Sequence, residues 1–282
     1  MKLLRWGETG REKPGALDAE GAIRDLSAVT ADLAGDAVSC EALDALRGLD
    51  LSALPRVEGA PRIGPCLGWV PNFHAIGLNY GRHAEEVGAK RPPEPILFSK
   101  ATTCLAGPND DLILPPDSEK SDWEVELGVV IGRWCDHVAE ADALAHVAGY
   151  CVVNDVSERA WQIERKGQWV KGKSAPGFGP VGPWLVTADE IADPQALALE
   201  LRLNGETMQS STTADMIFSV AEIVSYMSRF MALRPGDLIA TGTPEGVGMA
   251  RTPTRFLRAG DEMALSVAGL GEQRQRVRGA SE

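Results

Sequence analysis

The chain has 282 residues, 44% of them apolar and 24% charged, enough to bury one sizeable core with a small second module and too apolar for a disordered or collagen-like chain. Its 28 Lys and Arg against 40 Asp and Glu leave a net charge of −12, which opposes a nucleic acid or an anionic membrane surface as partner. No apolar run approaches the roughly 18 residues of a membrane-spanning helix, and MKLLRWGETG turns polar before a signal-peptide core can form. Five scattered cysteines fit neither a disulfide framework nor a zinc site, so the expectation is a soluble cytoplasmic protein with reduced thiols.

Residues 1–54 read as two short strands around a turn, then an amphipathic helix within 38–46. The Pro- and Gly-rich stretch 55–65 reads as a linker, which divides the chain into a small module at 1–62 and a larger domain at 63–282. That domain is strand-rich, with β patterns at 112–114, 123–131, 150–153, 184–187, 197–203 and 237–241. Asn204-Gly205 closes one hairpin, and Gly269-Leu270-Gly271 joins another between 263–267 and 275–277. Helices are predicted at 140–147, 157–165 and 220–231, the last with Val220, Ile223, Val224, Met227 and Met231 on its apolar face. Strands and helices do not alternate regularly, which disfavours a doubly wound sheet or a (β/α)8 barrel and predicts a mostly-β α+β fold.

His83 and Glu86 stand three apart and share a face if their segment is helical. A His oriented by a carboxylate suits a general base, and a solvated surface pair is the alternative. Further on, acids concentrate: ten between Asp110 and Asp142 stand against Lys120 and Arg133, a local net of −8. Most belong to solvated loops, but on a strand Glu124 and Glu126 point the same way while Trp123, Val125 and Leu127 take the other face. Converging carboxylates repel unless a cation sits between them, for which Mg2+ is the hard-ion solution; the alternative is the exposed polar face of an edge strand. Asp155, at the end of the apolar strand YCVVN, stands where a third ligand would be delivered, or caps a following helix. Three carboxylates with waters fit Mg2+ or Mn2+.

Gly167 to Ser174 matches the phosphate-loop pattern GxxxxGK[ST] letter for letter. The match enters SAPGFGPVGP, which cannot be a helix, so the context rejects nucleotide binding. Lys173 in that Gly-flanked loop either leans toward an anionic ligand or is a surface lysine. The segment TGTPEGVG (241–248) follows a strand and offers backbone N–H groups to an anion, or is an ordinary turn cluster. His74, His137 and His146 show no ligand spacing.

In order and spacing, GLNYGRHAEE, ILFSK, DWEVELGVVIG, NDVSERAWQ, GKS, NGE, PGDLIATGTPEGVG and the closing GD with GLG resemble the fumarylacetoacetate hydrolase family, from about residue 66 to the end. The resemblance implies a mixed β-roll catalytic domain, a homodimer or higher oligomer, and a hydrolase that acts on a carbon-carbon bond of a small 2-oxo acid. It further implies Mg2+ or Mn2+ on Glu124, Glu126 and Asp155, and a His83–Glu86 dyad that activates water on a segment ordering as a lid. Lys173 would join the catalytic set, with Tyr80, Arg159, Gln162 and Thr243 at the substrate and Lys100 as a further candidate. After Lys173 the sequence reads Ser-Ala-Pro-Gly-Phe where relatives often carry an acid. The stretch WQIERKGQWVKGKS running into GFGPVGPWLVT is similar to members that cleave 2,4-diketo-3-deoxy acids derived from L-fucose or L-rhamnose.

Overall fold

The apolar run Val125–Ile131 becomes the middle of the molecule. In a computed structural model, which describes residues 1–280, it is buried on both faces, so it is a central strand and not an edge. The main sheet contains β1 (Lys2–Trp6), β2 (Lys13–Leu17), β3 (Ile23–Asp25), β4 (Phe73–Gly77), β5 (Ile96–Lys100), β6 (Val125–Ile131), β7 (Val147–Asn154), β8 (Gly179–Thr187) and β9 (Leu238–Ala240). Their spatial order is β3-β2-β1-β8-β7-β6-β9-β4-β5, with the short strand Leu105–Ala106 against β8. β6 runs antiparallel to β7 and β9, while β9 pairs parallel to β4. The architecture is mostly β with a minority of helix, as the sequence predicts.

A second sheet, in the order Glu206–Thr212, Ala198–Leu203, Glu262–Val267, Gly271–Arg278 and Leu112–Ile113, packs on β6 and β7. Both expected hairpins form, with Asn204 and Gly205 at φ of 53° and 81°, the left-handed pair that a two-residue turn requires. Buried amides close the contact between the sheets: Gln273 Nε2 donates to Val152 O and Gly182 O, and Asn154 Nδ2 donates to Gln275 Oε1. Unmet amides there would cost free energy, so these bonds fix how the sheets sit.

The amino-terminal strands number three and continue the main sheet, because β1 pairs with β8 at Lys2–Val186 and Leu3–Leu185. Arg62, within 55–65, binds Glu12 at 2.8 Å on one side and Asp110 at 2.6 Å on the other. Of the helices, α1 (Cys40–Arg47) starts where Ser39 caps it, and α2 (Gly81–Glu86) follows β4. The third, α3 (Val220–Ser228), starts with a Ser219–Glu222 capping box and stops short of the expected residue 231.

Two expected helices are corrected. Residues 140–147 hold one α turn and one 3-10 turn, since Val147 already belongs to β7. Residues 157–165 begin as the strand Ser157–Glu158 paired with Ser121–Asp122, followed by a single π turn at Ala160–Glu164. Side-chain bonding overrides helical propensity here: the Glu158 carboxylate accepts from the Lys120 N–H and the Ser118 hydroxyl, and Arg159 is drawn to Asp122.

Candidate active site

The register of β6 against β7 builds the centre of the site. Val153 lies opposite Glu126 and Asn154 opposite Val125, and the Asp155 N–H donates to Glu124 O at 2.9 Å. Strand-end Asp155 is thereby delivered beside Glu124 and Glu126, and oxygens of all three carboxylates lie within 4.8 Å of one another, buried. Asp155 therefore caps no helix.

Three cations hold this cluster. Lys173 Nζ donates to Glu124 Oε2 and to Asp155 Oδ2, both at 2.6 Å. Lys100, expected near the substrate, lies beneath Asp155 instead, donating to its Oδ1 and to Phe178 O. The Arg159 guanidinium reaches Asp122 at 2.9 Å, Glu124 at 2.7 Å and Gln162 at 3.0 Å. Burial works against charge on Glu124, but Lys173 and Arg159 outweigh it and hold that carboxyl down to about 2. Glu126 has no such cation at hand: burial, then repulsion from Asp155 and Glu124, pushes it well above the carboxylate range. Burial also disfavours the Lys173 ammonium, yet Asp155 and Glu124 raise it above the ordinary lysine value.

The glycine-rich loop does offer its N–H groups to anions, and the anions are the protein's own carboxylates. Gly242 donates to Glu126 Oε2 at 2.8 Å, Gly246 to Glu86 at 2.9 Å, and Gly248 to Asp122 at 2.7 Å. The Thr243 hydroxyl donates to Val125 O and accepts from Gln209, which also binds the Val125 N–H. No sequence signal marks Gln209, and Asp122 is one of the ten acids with nothing local to set it apart. The false phosphate loop resolves in the same way. Gly172 packs where a Cβ would lie 2.6 Å from Glu158 O, Lys173 clamps the carboxylates, and the Ser174 hydroxyl accepts from the Ala101 N–H.

On α2, His83 Nδ1 lies 3.2 Å from Glu86 Oε2. An ionised carboxylate only accepts, so it places the ring proton on Nδ1 and leaves the Nε2 lone pair basic. A cavity of about 140 Å³ is lined by Glu124, Glu126, Asp155, Lys173, Arg159, Gln162, Thr243 and His83. Glu86 stands behind His83 and does not line it. Tyr80, expected at the substrate, is fully buried outside the lining, and burial raises its phenol well above the ordinary value.

The donor set fits a divalent metal. Glu124, Glu126 and Asp155 offer oxygen alone, as a hard cation prefers, and the repulsion that adds to burial in pushing Glu126 up is what a 2+ charge would relieve. These three residues would hold the ion, with Mg2+ and Mn2+ equally suited by this chemistry.

This fold, with a buried carboxylate triad beside a His–Glu pair, defines a class of metal-dependent enzyme, and the comparisons give its family. Residues 72–278 match the family model for the fumarylacetoacetate hydrolase C-terminal domain, so the chain belongs to the fumarylacetoacetate hydrolase family. A Burkholderia cenocepacia protein provisionally named a hydrolase is 58% identical over 281 residues, 99% of this chain and 100% of its own. Fumarylacetoacetate hydrolase from Exiguobacterium antarcticum superposes with a TM-score of 0.86 at 35% identity, covering 99% of both chains. A Mycobacterium abscessus protein named a probable 2-hydroxyhepta-2,4-diene-1,7-dioate isomerase gives 0.82 at 33%, and Sphingobium maleylpyruvate hydrolase, solved with manganese and pyruvate, gives 0.81 at 27%; each covers 99% of both chains. Among the described residues no helix is long and apolar enough to cross a membrane.

Proposed function

We propose that the protein hydrolyses a carbon-carbon bond of a 2,4-diketo acid, with 2,4-diketo-3-deoxy-L-rhamnonate or L-fuconate as the substrate class and pyruvate and L-lactate as products. The observation that carries this reading is that His83, backed by Glu86, lines the same cavity as the buried triad. A relative solved with manganese and pyruvate supports it, because pyruvate is the product expected here.

Glu124, Glu126 and Asp155 would hold Mg2+ or Mn2+, which would supply a Lewis acid for a 2-oxo carboxylate and for developing enolate charge. His83 Nε2 takes a proton from water as its oxygen bonds to C4 of the substrate. The C3–C4 bond then breaks, C4 leaves as a carboxylic acid, and the bonding pair passes into the enolate of pyruvate. Lys173 stands where an ammonium steadies that charge, and the imidazolium returns its proton to C3. Gln162 and Thr243 line the cavity with polar groups that orient the head of the substrate.

The isomerase relative favours one second reading, enol–keto isomerisation at the same centre. Acylpyruvate cleavage and oxaloacetate decarboxylation would draw on the same chelated 2-oxo carboxylate. A panel of 2,4-diketo acids, oxaloacetate and a 2-hydroxydienoate, followed for pyruvate, CO2 and enol absorbance, tests the proposal. Pyruvate with a second acid in equal amount supports hydrolysis, and CO2 release or absorbance change without cleavage rejects it.

A further inference from the structure

The cavity has two unlike halves. Its floor is charged and buried, while its outer wall is formed by Leu78, Val87, Phe98, Ile163, Trp169 and Met249. Trp169 is held there by two contacts: its ring meets Phe98 edge-on at 5.2 Å, and it lies against Gly77, where a Cβ would stand 2.3 Å from Cζ3. The cations in the lining are Arg159 and Lys173, and each is already engaged by carboxylates of the floor. Counting formal charges in the lining, Glu124, Glu126 and Asp155 give −3 and Arg159 and Lys173 give +2, a net of −1. A divalent metal brings this to +1, and one substrate carboxylate brings it to zero. A second carboxylate would leave an uncompensated charge against an apolar wall, where desolvation is costly.

We infer that the Trp169–Phe98–Ile163–Met249 wall makes this site selective for 2-oxo acids with a single carboxylate and a short neutral tail, against diacids. This rests on the function proposed above and deepens it. It also suits the methyl-ended tail of a 6-deoxy sugar acid.

The test is calorimetric titration of the Mn2+-loaded protein with 2-oxopentanoate and 2-oxoglutarate, which have equal chain length and differ in the terminal carboxylate. We expect 2-oxopentanoate to bind at least 10-fold more tightly. Ile163 is 50% exposed, so Ile163→Lys is tolerated by the fold, and it should tighten 2-oxoglutarate at least 10-fold and weaken 2-oxopentanoate, removing or reversing the preference. Equal or tighter binding of 2-oxoglutarate by the unchanged protein overturns the inference while leaving the proposed hydrolysis standing. If neither acid binds, and no 2,4-diketo acid is cleaved, the functional reading fails and the inference with it.

Discussion

His83 Nδ1 and Glu86 Oε2 are 3.2 Å apart, and the same Glu86 carboxylate accepts from the Gly246 N–H at 2.9 Å. One acid thus orients the ring and pins α2 to the glycine-rich loop whose Gly242 holds Glu126. The two substitutions should separate accordingly. His83→Asn removes the base and should lower kcat by on the order of 10²–10⁴-fold. Glu86→Gln loosens its orientation and should lower kcat by about 10–100-fold. Metal binding should be unchanged in both, and a His83→Asn enzyme with full turnover would remove His83 from the mechanism.

Glu126 is the least compensated carboxylate of the triad, so its substitution has opposite effects with and without metal. Glu126→Gln replaces a buried, poorly compensated carboxyl by a neutral amide and should leave the metal-free melting temperature equal or higher. Metal at 100-fold over its Kd contributes about 2.7 kcal/mol of linkage. That is about 5–10 °C for a chain of this size. The wild type should show this rise with Mn2+ and the variant should not; an equal rise in both would exclude Glu126 as a ligand.

Gly77 is required by close approach and not by backbone conformation. Gly77→Ala drives a methyl into the Trp169 ring and should displace the indole from the cavity wall. The expected result is a KM several-fold higher with kcat nearly held, and a changed tryptophan fluorescence. An unchanged KM would mean that the wall does not touch the substrate.

Acid should loosen the seam between the amino-terminal strands and the rest of the chain. Burial pushes Glu12 up, but the hydrogen bond from Arg62 prevails and sets its carboxyl below the ordinary value of 4.5. A group lowered on folding stabilises above its unfolded value and loses that contribution as pH falls through the folded one. Wild type should therefore melt above Glu12→Gln at pH 7, with the gap closing as pH is taken well below 4.5. A gap independent of pH would mean that Glu12 acts by packing alone.

The convergence of Glu124, Glu126 and Asp155 was legible because a period of two and a strand end are local signals, although β6 starts only at Val125, with Glu124 just before it, and Asp155 just follows β7. The mostly-β class and both hairpins were legible for the same reason. What stayed hidden is long-range. The first half of β8 carries Pro180 and Pro183 and lies outside the predicted strand 184–187, yet it pairs with β7, with a register shift that falls across Pro183. Arg159 sits in a helical pattern that its own ion pairs break. The letters of the phosphate loop serve packing at Gly172 and charge at Lys173, and only the tertiary contacts distinguish these uses. Trp169 came into the wall through Gly77, nearly a hundred residues away, where no spacing rule reaches.

The most direct test of the central claim is cleavage of a 2,4-diketo-3,6-dideoxyhexonate, the 2,4-diketo-3-deoxy acid of L-rhamnose or L-fucose, in H2(18)O with Mg2+, with products followed by mass spectrometry. The account predicts one pyruvate and one lactate per substrate, a single 18O in the lactate carboxylate, and loss of the reaction in EDTA. No pyruvate, no label in the second acid, or a rate indifferent to EDTA would contradict metal-dependent hydrolysis at this site.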